Sequence, residues 1–179
     1  MVIPLQKVIN GELPDEAIGI ITEAISSFIC RDKDVEEFLK NKALEFERRD
    51  KSRTYLIFSD SSSLLGYFTL SLNALPFREN VSKNTIRRID GFSKDVQAVG
   101  IILIGQFGKD AEKSKNMNGN ELLEICLRTI ERAKDIIGGR FIMLECLDID
   151  KVVKFYSENG FQYLQLDKRD RYIQMVRRI

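Results

Sequence analysis

The sequence predicts an α/β domain built on a mixed sheet with helices on its faces. Three observations carry this. Strands and helices alternate through the second half of the chain, the pattern of strand–helix–strand units. Residues 97 to 107 form the most apolar strand, of the kind buried at a sheet centre. The 179 residues, 44% hydrophobic and 31% charged, have an ordinary globular composition and suffice for one domain with its own core.

The elements follow in order. Residues 14 to 29 place Ile18, Ile21, Ala24, Ile25 and Phe28 at helical spacing, with Pro14 and two acids suited to a first turn. A second helix is expected from Asp34 to Arg49, burying Val35, Phe38, Leu39, Ala43 and Phe46. Thr54 to Ser59 and Leu65 to Leu72 read as strands joined through a serine turn into a hairpin. Residues 76 to 96 are polar and without period, so they are expected to be a long functional or mobile connection. After the central strand comes a loop over residues 108 to 119, then a helix from Asn120 to Ile137 that Gly138-Gly139 stops. Phe141 to Leu147 is a strand, Asp150 to Glu158 a helix, Phe161 to Leu164 and Tyr172 to Arg178 the last strands.

Composition also excludes. There is no histidine, which removes Ser-His-Asp and Cys-His catalysis and His-containing metal sites. Cys30, Cys126 and Cys146 show no paired spacing and lie in apolar patterns, so they read as reduced core thiols and no metal site is expected. A net charge of +1 gives no overall case for nucleic acid. No apolar run approaches the roughly 20 residues that span a bilayer, and the N-terminus lacks the plan of a signal peptide, so a cytoplasmic protein is expected.

Two stretches can carry chemistry. The loop 108 to 119 opens a helix, where backbone N–H groups and the helix dipole favour anions; Gly119 permits close approach, Asn120 can cap, and Lys113 and Lys115 add charge. Its plain alternative is an ordinary strand-to-helix connection. Phe155-Tyr156-Ser-Glu-Asn-Gly160-Phe161 reads as a short helix with a left-handed cap at Asn159-Gly160, Phe155 and Phe161 in the core and Tyr156 turned about 100° from Phe155 toward the sheet edge. Glu145, Asp148 and Asp150 stand at a strand end as candidate bases, although Asp150 also suits a helix N-cap. Arg87-Arg88 can grip a phosphate or form a solvated turn.

Taken in this order, the strand, Ser114-Lys-Asn-Met-Asn-Gly119 and the Phe-Tyr helix resemble the cofactor-binding motifs of the GNAT acetyltransferase superfamily. That family writes the loop as (Gln/Arg)-x-x-Gly-x-(Gly/Ala). Gly119 keeps the final position, whereas Ser114 and Met117 depart from the first and middle ones. The resemblance implies a GNAT-like fold and acetyl-coenzyme A held by Gln106, Phe107, Gly108, Lys115, Asn116, Met117, Asn118, Gly119, Asn120, Asp150 and Phe155. It further implies a gap between the strand ending at Phe107 and its neighbour at Leu144 to Cys146, with Gly105 at a bulge and Tyr156 protonating the departing thiolate. The implied reaction is direct attack of a primary amine on the thioester.

Cys30-Arg-Asp-Lys-Asp-Val-Glu-Glu-Phe-Leu-Lys-Asn-Lys-Ala43, Thr54-Tyr-Leu and Gly66-Tyr-Phe-Thr-Leu-Ser71 are similar to the GNAT branch that contains toxins of toxin–antitoxin pairs. That branch implies a homodimer, an antitoxin partner and aminoacyl-tRNA as the acceptor, the one nucleic acid left open. Antibiotic, polyamine, peptide and protein amines stay open beside it, as does a non-catalytic coenzyme A-binding or protein-binding module.

Overall fold

Seven strands form one mixed sheet in the order β1-β2-β3-β4-β5-β7-β6, with helices flanking it. The computed structural model describes residues 1–115 and 117–179. The chain divides into two units, Met1–Ser71 with Gly105–Arg128, and Leu72–Ile104 with Thr129–Ile179. No helix among the described residues is long and apolar enough to cross a membrane.

In the first unit, β1 (Val2–Pro4) pairs antiparallel with β2 (Arg53–Phe58), which pairs antiparallel with the start of β3 (Leu64–Pro76). The expected hairpin is present. Helices α1 (Gln6–Ile9), α2 (Asp15–Ser26), α3 (Lys33–Asn41) and α4 (Ala43–Arg48) precede β2. The single helix expected from Asp34 to Arg49 is two, broken at Lys42, which leaves helical geometry at φ −125°. Asp32 caps α3 by accepting the Asp34 and Val35 amides. Leu5, Ile21, Phe28, Leu39, Ala43, Leu56 and Tyr67 make the core of this unit. Phe28 meets Tyr67 edge-on at 5.6 Å, and the Tyr67 hydroxyl donates to the Val35 carbonyl at 2.5 Å.

In the second unit, β4 (Ala98–Lys109) runs parallel to β5 (Phe141–Cys146) from Ile102↔Ile142 to Ile104↔Leu144. β7 (Ile173–Arg178) is antiparallel to both β5 and β6 (Gln162–Leu166). The polar stretch 76 to 96 is not a structureless connection. It contains α5 (Lys83–Asp90), which Ser82 caps through the Thr85 amide and Gly91 ends in the left-handed region. Val81, Ile86 and Ile89 bury against Leu75, Ile101, Phe141, Met143, Leu164 and Val176. Arg87 and Arg88 thus occupy the last turn of a helix, not a turn between strands. Helix α6 (Gly119–Ile137) begins in the first unit, and α7 (Asp150–Glu158) follows β5. Central β4 is less uniformly buried than its sequence suggests. Ile101, Ile102 and Ile104 are buried, whereas Gln106 and Phe107 are half-buried.

Candidate active site

Eight of the described residues expected to hold a cofactor lie on one stretch of the first unit, from the end of β4 to the first turn of α6. Backbone packing fixes the strand end. Gly108 is buried, and a Cβ there would lie 2.5 Å from Val35 Cγ1 and 3.2 Å from Cys30 Sγ. The chain passes so close to α3 that only glycine fits. Gly105 lets the Thr69 hydroxyl approach, since a Cβ there would lie 3.1 Å from Oγ1. That hydroxyl accepts the Gln106 N–H at 2.8 Å.

Asp110, fully buried and unremarked in the sequence, organises the loop. Its Oδ2 accepts the Ile29 N–H at 3.1 Å, and Oδ1 accepts the Glu112 and Lys113 amides at 2.9 and 2.7 Å. Three backbone donors satisfy one buried carboxylate and pin the loop to the end of α2. The Ser114 hydroxyl, at the position where the motif has Arg or Gln, donates to the Asp110 carbonyl and is buried. Lys113 is drawn to Ser27, donating to its Oγ at 2.8 Å. Lys109 Nζ donates to the Met117 carbonyl at 2.8 Å. Lys115 is exposed and makes no ion pair or hydrogen bond with the described residues. Asn116 lies outside the described residues.

Met117 departs from the motif's middle glycine, yet its side chain turns inward. It is 6% exposed, and its methyl carbon lies 3.2 Å from where a Cβ on Gly66 would sit. The thioether fills the core space that Gly66 leaves open. The cap of α6 is Asn118, not Asn120: Asn118 Oδ1 accepts the Glu121 N–H at 3.0 Å, and Glu121 Oε2 accepts the Asn118 N–H at 2.7 Å. This is a capping box with asparagine at the cap and glutamate three residues on. Asn120 lies exposed in the first turn, beside the half-buried Gly119. The Asn-x-x-Glu spacing was legible in the sequence.

The other two, Asp150 and Phe155, lie on α7 in the second unit, which also carries Tyr156. Tyr156 is half-buried, its ring edge-on to Phe155 at 5.0 Å and to Phe161 at 5.7 Å. Phe161 is in the core and Phe155 half-buried, so two rings fix the tyrosine ring. Gly160 is left-handed at φ +81°, and Phe161 N donates to the Tyr156 carbonyl at 3.0 Å, closing the helix as expected. Asp150 is not the cap. Ile149 holds that position without a side-chain bond, and Asp150 is exposed in the first turn, where its charge suits the helix dipole.

Of the candidate bases, Glu145 accepts from Gln174 Nε2 at 2.7 Å, and Gln174 Oε1 accepts from Gln165 Nε2 at 2.7 Å. A chain of amides across β5, β7 and β6 thereby orients its carboxylate. Asp148 is exposed. Cys126 and Cys146 are core residues, and burial pushes both thiols up, as it does Cys30. Among the described residues no three His, Cys, Asp or Glu side chains group to hold a metal ion.

No family model matches the chain. Its sequence is 26% identical over 149 residues to a probable toxin TacT of Sinorhizobium fredii (strain NBRC 101917 / NGR234), covering 78% of each chain. A tyrosine-to-phenylalanine mutant of KacT superposes with a TM-score of 0.67 at 22% identity, covering 86% of both chains. AtaT complexed with acetyl-methionyl-tRNAfMet superposes with a TM-score of 0.65 at 18% identity, covering 83% of this chain and 85% of that one. The fold is GNAT-like, the one that KacT and AtaT take, and the sequence is similar to that of the probable toxin TacT.

Proposed function

We propose that the whole chain acts as one cytoplasmic acetyltransferase domain, moving an acetyl group from acetyl-coenzyme A to the amino group of an aminoacyl-tRNA, and that it is the toxin of a toxin–antitoxin pair. The observation that carries this reading is the shared fold with AtaT, which has been solved with acetyl-methionyl-tRNAfMet and, as AtaTR, with acetyl-coenzyme A. The sequence relation to TacT supports it independently. AtaT has also been solved with the C-terminus of its antitoxin AtaR, and we assign this chain an antitoxin partner on that ground, with a homodimeric state from the family resemblance alone.

The residues present fit the cofactor with one qualification. Acetyl-coenzyme A, once bound, supplies a thioester carbonyl and a thiolate leaving group. The Asp110-pinned loop and the start of α6 offer backbone N–H groups and a helix dipole to the pyrophosphate, with Lys115 adding charge. The inward turn of Met117 keeps its bulk in the core and off the phosphate side. The qualification is Glu121, whose carboxylate already holds the Asn118 N–H. Gln106 and Phe107 are assigned to the pantetheine arm, and Asp150 and Phe155 keep the cofactor role that the family resemblance implies for them. Tyr156, its ring held by Phe155 and Phe161, is assigned as the acid that protonates the thiolate. With no histidine, the amine loses its proton to a carboxylate or water, and Glu145 is the oriented candidate.

Calorimetric titration with acetyl-coenzyme A, then turnover of the Tyr156→Phe variant, tests the assignment. Phenylalanine keeps the ring contacts, so affinity should hold while turnover falls by roughly a hundredfold or more. Unchanged turnover would remove Tyr156 from the acid role. Glu121 favours a second reading, a non-catalytic module that binds a protein partner; absence of acetyl-coenzyme A binding at millimolar concentration would select it.

A further inference from the structure

At the edge of the second unit where β5 begins, a cleft of about 280 Å³ is lined by Arg88, Gly160, Gln162, Arg177 and Arg178. Three arginines and no carboxylate line it. They come from separate elements: Arg88 from the last turn of α5, Arg177 and Arg178 from the end of β7, where Arg178 pairs with Phe141 at the start of β5. The cleft therefore stands at the opposite end of β5 from the start of α7.

Like charges are not brought together without a cost, and the surrounding structure holds these in place. Arg177 Nη1 donates to the Asn159 carbonyl at 3.0 Å, and its guanidinium lies 6.0 Å from the Phe161 ring centroid. Arg140 donates to the Ile89 carbonyl at 3.3 Å and the Arg88 carbonyl at 3.5 Å, fixing the end of α5 that carries Arg88. The side chains of Arg88 and Arg178 are exposed and make no ion pair or hydrogen bond with the described residues. Nearby carboxylates are committed elsewhere. Asp90 accepts the Phe92 and Ser93 amides at 3.0 and 2.7 Å, and Glu158 pairs with Lys154 at 3.7 Å.

We propose that the Arg88–Arg177–Arg178 cleft holds the sugar-phosphate backbone of an RNA. Planar guanidinium groups match phosphate oxygens in pairs. The apolar residues that line the cleft, Phe141 and Val176, are buried, so there is no exposed ring for a base and no apolar anchor for a peptide. Such a site positions a polyanion without reading its sequence. It also answers the chain's near-neutral charge: with a net charge of only +1, affinity for RNA has to come from a local cluster. The proposal rests on the aminoacyl-tRNA reading above and gives that acceptor a second point of attachment.

The test is binding of deacylated tRNA across a salt series, for the protein and for an Arg88→Gln/Arg178→Gln variant. A Lys7→Gln/Lys42→Gln variant controls for net charge, and melting temperature controls for folding. Should the pair perturb folding, the two single variants are read instead. The arginine pair should weaken binding at least tenfold and reduce the slope of log affinity against log salt by about one per arginine. The lysine pair should do neither. Equal affinity and slope in the arginine variant would overturn the proposal. So would absence of tRNA binding by the unaltered protein, or competition by polyglutamate as effective as by RNA of equal charge, which would assign the cleft to an acidic protein segment. If the arginine variant loses tRNA while the unaltered protein fails to bind acetyl-coenzyme A, the cleft stands and the acetyltransferase reading falls.

Discussion

Glu121 holds the Asn118 backbone N–H at 2.7 Å, while the Asn118 side chain holds the Glu121 N–H at 3.0 Å. The reciprocal pair starts α6 at the place where a pyrophosphate would seek the same backbone donors. On the proposed reading, a carboxylate there would mimic the ligand's charge and compete with it.

Replacing Glu121 with glutamine keeps an acceptor for the Asn118 amide and removes the charge. A charge at a helix end is worth about 0.3–1 kcal/mol, so acetyl-coenzyme A should bind roughly two- to fivefold more tightly at low salt, with the gain fading at high salt. Calorimetry at two salt concentrations checks this; identical affinity at low salt would show that Glu121 does not compete. Asn118→Ala should instead cost about 1 kcal/mol of stability, a fall of about 2–4 °C in melting temperature.

Gly108→Ala should destabilise the fold, because the new Cβ would lie 2.5 Å from Val35 Cγ1. Overpacking of this kind costs about 1–3 kcal/mol. The Val35→Ala change should recover part of that loss in the double variant. Denaturant unfolding of the four proteins of the cycle reads the coupling, and strict additivity would contradict the close approach.

Glu36 makes stability depend on acid. The Lys33 ammonium, the Cys30 amide and the Lys40 ammonium hold its carboxyl at about 2, below its ordinary 4.5. Because the folded value is the lower one, its contribution is complete above about 4.5 and is lost as the pH falls toward 2. Melting temperatures of Glu36→Gln should therefore lie below those of the unaltered protein at neutral pH and converge with them in acid. Parallel curves across that window would assign the acid sensitivity elsewhere.

Asp110→Ala should lower both stability and acetyl-coenzyme A affinity, since the Ile29, Glu112 and Lys113 amides lose their acceptor. One unmet buried donor costs about 1–3 kcal/mol. Loss of stability with full cofactor affinity would show that the loop binds without this anchor.

Long, strongly periodic elements were legible in the sequence, α6 and β4 above all, because burial imposes their pattern locally. Helix α5 was not: its register rests on Ile86 and Ile89 alone, and its partners Leu75, Phe141 and Val176 are distant in sequence. The break at Lys42 was hidden because apolar spacing continues across it into Ala43 and Phe46. At the candidate site, the loop and the Phe155-Tyr156 pair were found from residue types. Asp110 was missed, since a lone acid in a polar loop looks solvated until Ile29, 81 residues away, is placed on it. Met117 departs from the motif in sequence, which does not show that its side chain turns into the core.

Acetyl transfer to aminoacyl-tRNA is tested by following labelled acetyl from acetyl-coenzyme A into a mixture of aminoacyl-tRNAs as acid-precipitable label, for the protein and for Tyr156→Phe. Label is expected on the amino acid of one or more tRNAs with the unaltered protein, reduced roughly a hundredfold or more in the variant. Binding of acetyl-coenzyme A without label on any aminoacyl-tRNA would contradict it.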